Sequence, residues 1–405
     1  MVSYCAFILV GVSAGVGGVL LPAQMADYEV DRSTIGITFF VFSAGFMLAG
    51  SIVGAMMQRF DTRATLAAGV AVFVVSALYT ATRPVFAGLL VVQLFLGYGI
   101  GVVESVLNTH LARMPRAAQR VNRLHAFFGV GALVGPLLAT WMLRSWPWQR
   151  VWLVIALAYA VLLAGVLLLV PKAEWLVPGH AATPSTAPTA DAMVTGPTPA
   201  SRGLLAAAVR ERAVVLVALF LAVYVGLEIS VGNWGFSFLV DARSQSQLHA
   251  GYALSGYWLG LTVGRFVISP AASRVGLSEV GVSLLCLAGV LAACGLVWLS
   301  PGAAAGAGFA LLGFFLGPLF PTAMAITPRL AEARIVPTAI GIINGVSVIG
   351  GSVLPWLAGT LSQSAGTSTL LPFCAVLAGL LLLLWWRLAG HVRPVREVTS
   401  ALDST

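Results

Sequence analysis

Apolar runs of about 18–25 residues recur along the whole chain, near 3–23, 34–57, 64–82, 85–112, 121–143, 151–170, 213–240, 249–269, 279–299, 303–327, 338–361 and 369–390. They are continuous rather than alternating, which predicts helices and argues against a β-barrel. At 1.5 Å of rise per residue, each run is long enough to cross a hydrocarbon core of about 30 Å. The expectation is therefore an all-α membrane protein of twelve transmembrane helices. One break is long: residues 171–212 are dominated by Pro, Ala, Thr and Gly and show no apolar periodicity. This stretch predicts a flexible cytoplasmic linker between an N-terminal six-helix half (1–170) and a C-terminal one (213–390), with a cytoplasmic tail at 391–405. The first run has no basic residue before Arg32 and no small-residue cleavage site followed by a soluble domain, so it reads as a membrane helix rather than a signal peptide.

Polar residues interrupt the runs at helical spacing. Between Gly97 and Trp141 two apolar segments flank the basic turn PRAAQR. Gly97, Gly101, Glu104 and Asn108 share one face of the first segment, and Asn122, His125 and Gly129 share one face of the second. An ionisable group deep in a membrane helix costs about 2.5–3.5 kcal/mol on insertion scales, so Glu104 marks a functional position. No Arg shares its depth on either segment. The plainer alternative is an acid that staples two helices together.

Composition agrees with the pattern. The chain of 405 residues is 59% hydrophobic and only 9% charged, against about 25% charged for soluble domains, which excludes a soluble globular protein. The net charge of +8 reports orientation rather than a polyanion partner. Of 22 basic residues, 16 lie in or beside alternate loops, which places both termini and the central linker in the cytoplasm of a cell (inner) membrane protein. Cys5, Cys286, Cys294 and Cys374 all sit within apolar runs and read as small core residues, not as a disulfide or metal framework. There is no phosphate loop, no paired Cys/His set and no nucleophile–base pair, so neither an enzyme nor a cofactor or metal is expected.

The halves are related to each other. GYGIGVVESVLNTHLARM (97–114) and GFFLGPLFPTAMAITPRL (313–330) match at one offset of 216: Gly97 with Gly313, Gly101 with Gly317, Arg113 with Arg329. The same offset pairs 129–135 with 345–351, whereas Glu104 stands opposite Phe320 and Asn108 opposite Met324. Two like halves repeated about the membrane normal resemble the major facilitator superfamily. Residues Gly54 to Arg63 look like a worn copy of that superfamily's G-x-x-x-D-R-x-G-R signature, with Gly54, Arg59 and Arg63 kept, Gln58 at the acidic position and Asp61 in place of Gly. Its counterpart at 260–276 keeps Gly264, Arg265 and Arg274. The resemblance gives Gly54, Arg59, Arg63, Arg265 and Arg274 a conformational gating role.

The strings LLPAQ (20–24), YVGLEISVGNW (224–234), LFPT (319–322) and the GG-x-x-LP of Gly350 to Pro355 resemble the fucose permease and glucose/galactose transporter branch. That branch implies proton-coupled sugar import. Glu104 and Asn108 reproduce its G-x-x-E-x-x-x-N context, counted from Gly101. Its helix-one acid falls at Gly18, its two helix-five cavity residues at His125 and Phe128, and a helix-seven glutamine at Glu228. The expected carrier binds a small polar solute, most simply a sugar or sugar-like compound, and works by alternating access. Protons couple through Glu104, with Glu228 and His125 as further titratable groups. Asn108, Asn122, Tyr224, Asn233, Trp234, Tyr257 and Asn344 are the expected substrate contacts, and Tyr252, Trp258 and Trp356 offer further aromatic faces. The expected partners are the small-molecule substrate, protons and the lipid bilayer, with no nucleic acid, for a chain acting as a monomer. The alternative is an exporter of amphipathic drugs or lipids on the same fold, whose cavity would be broadly lined by aromatic and Met side chains.

Overall fold

The computed structural model describes residues 1–112, 114–170, 199–300 and 303–391. In the first half, helices α1 (Val2–Tyr28), α3 (Ile37–Arg59), α4 (Thr62–Ala81), α5 (Phe86–Ala112), α6 (Ala117–Leu143) and α7 (Trp148–Leu169) follow the apolar runs, with a short α2 (Arg32–Ile35) leading into α3. In the second half come α8 (Pro199–Arg210), α9 (Arg212–Ser237), α10 (Gln247–Arg274), α11 (Glu279–Leu299), α12 (Ala303–Leu316), α13 (Leu319–Leu330), α14 (Val336–Ala365) and α15 (Leu370–Ala389). Most of the expected linker (171–198) and of the tail (392–405) lies outside the described residues, as does Arg113. Within the linker range, however, Pro199–Arg210 is helical, and its run Leu204–Val209 is rich in alanine and leucine, the strongest helix formers.

Among the described residues, eleven helices are long and apolar enough to cross a membrane. The twelfth expected span corresponds to the 28-residue α10, whose Gln247, His249, Thr262, Arg265 and Arg274 dilute its apolar character. The expected helix 303–327 is broken in two at Gly317–Pro318, because proline has no N–H to continue the ladder.

The halves share one wiring plan. In the first, α1 packs on α6, α3 on α5, and α4 on α5 and α7. In the second, α9 packs on α14, α10 on α12, and α11 on α12 and α15. The glycines of the 216-residue repeat hold equivalent joints. A Cβ added to Gly97 would lie 2.0 Å from the carbonyl oxygen of Phe42, and one on Gly313 would lie 2.0 Å from that of Tyr257. Without a side chain, two membrane helices approach to backbone contact, which supplies the dispersion energy that hydrophobicity cannot supply in lipid.

The halves meet along α6–α10, α3–α14 and α1–α9. Because the long helices alternate in direction, the loops at residues 29–36, 238–246 and 363–369 lie at the end opposite Met1 and His391, here termed the far face. There Arg32 pairs with Asp241 at 2.8 Å, and its backbone N–H donates to Gln363 Oε1 at 3.3 Å. Trp356 Nε1 donates to the Ser33 carbonyl at 3.2 Å, and its ring packs edge-on to Phe40. Asp31 caps α2, and hydrogen bonds from Thr34 and Ser33 hold its carboxyl below the usual carboxylate range. Together these contacts latch the two halves at the far face.

Candidate functional site

Beneath the latch, between the halves, lies a cavity of about 380 Å³. Both halves wall it: α1, α3, α4, α5, α6 and α7 contribute from the first, and α9, α10 and α14 from the second. Five phenylalanines (Phe39, Phe42, Phe46, Phe73, Phe128) and two tryptophans (Trp152, Trp258) form much of the wall. The polar groups among them are Glu104, Gln24, Gln93, Asn233, Ser13, Ser43 and Thr38. Both indole N–H groups, of Trp152 and Trp258, are without a protein partner. Ser13 is committed locally, donating to the Leu9 carbonyl at 3.0 Å, and Thr38 to that of Ile35 at 2.6 Å. No Lys, Arg or His lines the cavity among the described residues.

Glu104 is placed there by α5. Gln93 lies eleven residues earlier, three helical turns, so both side chains look into the same space. Asn233 enters from α9 beside Gly232. At Gly18, where the resemblance puts an acid, α1 crosses α9 so closely that a Cβ would lie 2.1 Å from the Gly232 carbonyl oxygen. An acidic side chain has no room at that crossing.

The remaining expected residues lie elsewhere. Tyr224 and Tyr257 are fully buried beside the cavity rather than on it, and Tyr257 Oη donates to the Glu228 backbone carbonyl at 3.0 Å. Trp234 is also off the wall, and its Nε1 is committed to the Pro355 carbonyl at 2.7 Å. Glu228 is half-buried on α9 and is paired electrostatically with Arg265 of α10, with Tyr224 as a further polar neighbour. His125 packs edge-on to Phe7, with ring centroids 5.6 Å apart, and it too feels the charge of Arg265. Arg265 therefore faces this off-cavity cluster, and its Nε also donates to the Gly317 carbonyl at 3.4 Å. Asn108 and Asn344 are half-buried off the wall, and Asn122 is exposed at the start of α6. Arg63 hydrogen-bonds to the Leu167 carbonyl within its own half, Arg59 lies exposed over the Phe60 ring, and Arg274 ends α10. Gly54 is half-buried on α3.

The pattern of the sequence does not single out Gln93, Trp152 or the phenylalanine wall. A signal for the first exists, since an amide three turns from an acid in an otherwise apolar run marks a shared polar face. Gln24 belongs to the LLPAQ string, and Trp258 is one of the aromatic faces expected above, so the structure brings both to the cavity.

Comparison with known proteins agrees with this architecture. The model of the Major Facilitator Superfamily matches residues 3–308 and 229–404. The chain is similar to Bypass of stop codon protein 6 of Saccharomyces cerevisiae, at 24% identity over 94% of this chain and 80% of that protein. It is similar to the glucose/mannose transporter GlcP of Bacillus subtilis, at 22% identity over 88% of this chain and 86% of that protein. A multidrug resistance protein B homolog of Mycobacterium tuberculosis shares 25% identity over 81% of this chain and 69% of its own length. Among solved structures, the E. coli fucose:proton symporter FucP superposes with a TM-score of 0.62 at 16% identity, covering 95% of this chain and 97% of that one.

Proposed function

The chain belongs to the major facilitator superfamily and is a multi-pass membrane transporter, and we propose that it carries a sugar or sugar-like solute by alternating access, coupled to protons through Glu104. The observation that carries this reading is the composition of the cavity wall. A carboxylate and three amides line an aromatic chamber of about 380 Å³, and the indoles of Trp152 and Trp258, whose N–H groups have no protein partner, form part of its wall. A pyranose ring has hydroxyls around its rim and apolar C–H faces, and such a wall offers a partner to each. The sugar carriers among the similar proteins support the same class.

Glu104 is suited to coupling because the wall around it holds no cation. When charged, it resists closure of the cavity, since closure strips its water at a cost of several kcal/mol. A proton, or a solute hydroxyl donating to it, removes that resistance and lets the halves rock. With the basic loops placed in the cytoplasm, the far-face latch closes the outer side, which is the closure an inward-facing state of a cytoplasmic-membrane carrier requires. Glu228 has a different role. Arg265 balances its charge, so it holds the C-terminal half together instead of cycling protons.

A second reading has one observation in its favour. Seven aromatic rings on one wall also suit an amphipathic molecule, although no Met joins them. Uptake of a labelled hexose panel into proteoliposomes, with and without a pH gradient, separates the two. The expected result is accumulation of at least one hexose that rises with an inward proton gradient. Failure to move any sugar, with transport of an amphipathic dye instead, would move the assignment to the second reading.

A further inference from the structure

A second cavity, of about 290 Å³, lies at the far-face end of the α6–α10 seam and shares no residue with the central one. Leu137, Thr140, Trp141 and Arg144 wall it from the first half, and Leu248 and Tyr252 from the second. Thr140 is only 3% exposed, yet its Oγ1 has no hydrogen-bond partner. It reaches the seam because Gly251 lies opposite, where a Cβ would lie 2.2 Å from that oxygen. Arg144 is the C-cap of α6; its backbone N–H is bonded to Met142 and Trp141, and its guanidinium is in no ion pair among the described residues. Trp141 and Tyr252 are 61% and 55% exposed and flank the mouth.

These features specify an amphipathic anion. The leucines offer an apolar trough and one end holds an unpaired cation, while the Thr140 hydroxyl lies buried without a partner in the seam beside it. Amphipathic rings at the mouth mark the depth where headgroups meet hydrocarbon. A free inorganic anion would make no use of the trough. A neutral headgroup would leave the guanidinium unanswered, and that planar fork is built for phosphate. We propose that this groove binds one anionic phospholipid of the far-face leaflet, with its phosphate on Arg144 and an acyl chain along Leu137 and Leu248. Because the walls come from different halves, the bound lipid favours the arrangement that keeps them together, a consequence that rests on the rocking motion above.

Native mass spectrometry of the full-length protein in detergent tests the site, with titrated phosphatidylglycerol, phosphatidylcholine and inorganic phosphate as probes. One phosphatidylglycerol should be retained about tenfold more tightly than phosphatidylcholine. Arg144→Gln should weaken it about tenfold, as expected for loss of one charge-assisted contact. Leu248→Trp, which fills the trough, should also remove the adduct. The thermal unfolding of Arg144→Gln in lipid-free detergent should match wild type, because the residue is exposed. Equal retention of the two lipids, unchanged binding by Arg144→Gln, or displacement of the lipid by millimolar phosphate would each overturn the proposal. Since no transport is measured, its failure is distinct from failure of the sugar-carrier reading.

Discussion

Two acids within the bundle, one in each half, sit in opposite electrostatic settings. Glu104 stands on the wall of the central cavity, where no Lys, Arg or His accompanies it among the described residues. Glu228 lies off the cavity with Arg265 as its countercharge and Tyr224 and Tyr257 beside it. A carboxylate with a nearby cation keeps its charge through a conformational cycle. One whose only partner is water changes its protonation when the water leaves. The difference teaches that the depth of an acid in a membrane helix does not define its role; the neighbours on the adjoining helices do.

The largest test breaks the second setting. Arg265→Ala leaves Glu228 without its countercharge, and an ionisable group left uncompensated in a membrane helix costs about 2.5–3.5 kcal/mol on insertion scales. Thermal unfolding in nanodiscs should show this loss, and the double variant Arg265→Ala/Glu228→Gln should recover most of it. No recovery would mean that the two residues are not coupled.

Glu104→Gln addresses the first setting. A gradient of two pH units is worth about 2.7 kcal/mol per proton and supports about 100-fold accumulation. The Gln variant should lose that accumulation while keeping counterflow exchange of the same solute. If it folds poorly and loses binding and exchange together, Glu104 is a staple like Glu228, and the contrast collapses.

A smaller effect separates solute recognition from both acids. Trp258→Phe keeps the aromatic face but removes one unpartnered N–H, so KM should rise about tenfold for loss of one hydrogen bond of about 1.4 kcal/mol. The ratio of protons to solute should not change. The smallest effect is at the latch: Arg32→Ala breaks a partly exposed pair worth about 0.2–1 kcal/mol. It should shift the conformational balance at most about fivefold, read by cysteine accessibility of cavity positions from the far face.

The two-half plan is legible in the sequence because bilayer thickness dictates the run length and because Gly97 and Gly313 hold equivalent joints. Glu104 is legible for the opposite reason: an acid in an apolar run is costly enough to stand out. The faces of the apolar helices are not legible. In a soluble helix the polar side marks the solvent, but here lipid-facing and core-facing sides are both apolar. Hence nothing in the string around Tyr224 and Trp234 says that these rings turn into the second half while Asn233, between them and one turn from Ile229, turns to the cavity. Arg265 reads as a gating residue by its motif position, and only the packing of α10 against α9 and α6 shows that it faces Glu228 and His125.

The matched glycine joints bear on how variation in this chain should be scored. At Gly97 and Gly313 an added methyl meets a carbonyl oxygen of the neighbouring helix, not a side chain that can turn aside. Damage at these positions therefore falls on assembly in the membrane rather than on the transport cycle of the molecules that do assemble. A saturation scan read twice, once for surface abundance and once for uptake per molecule, would trace two stripes of low abundance 216 residues apart, with near-normal turnover in whatever survives. The cavity positions, which have no such stripe, would appear in the second readout alone.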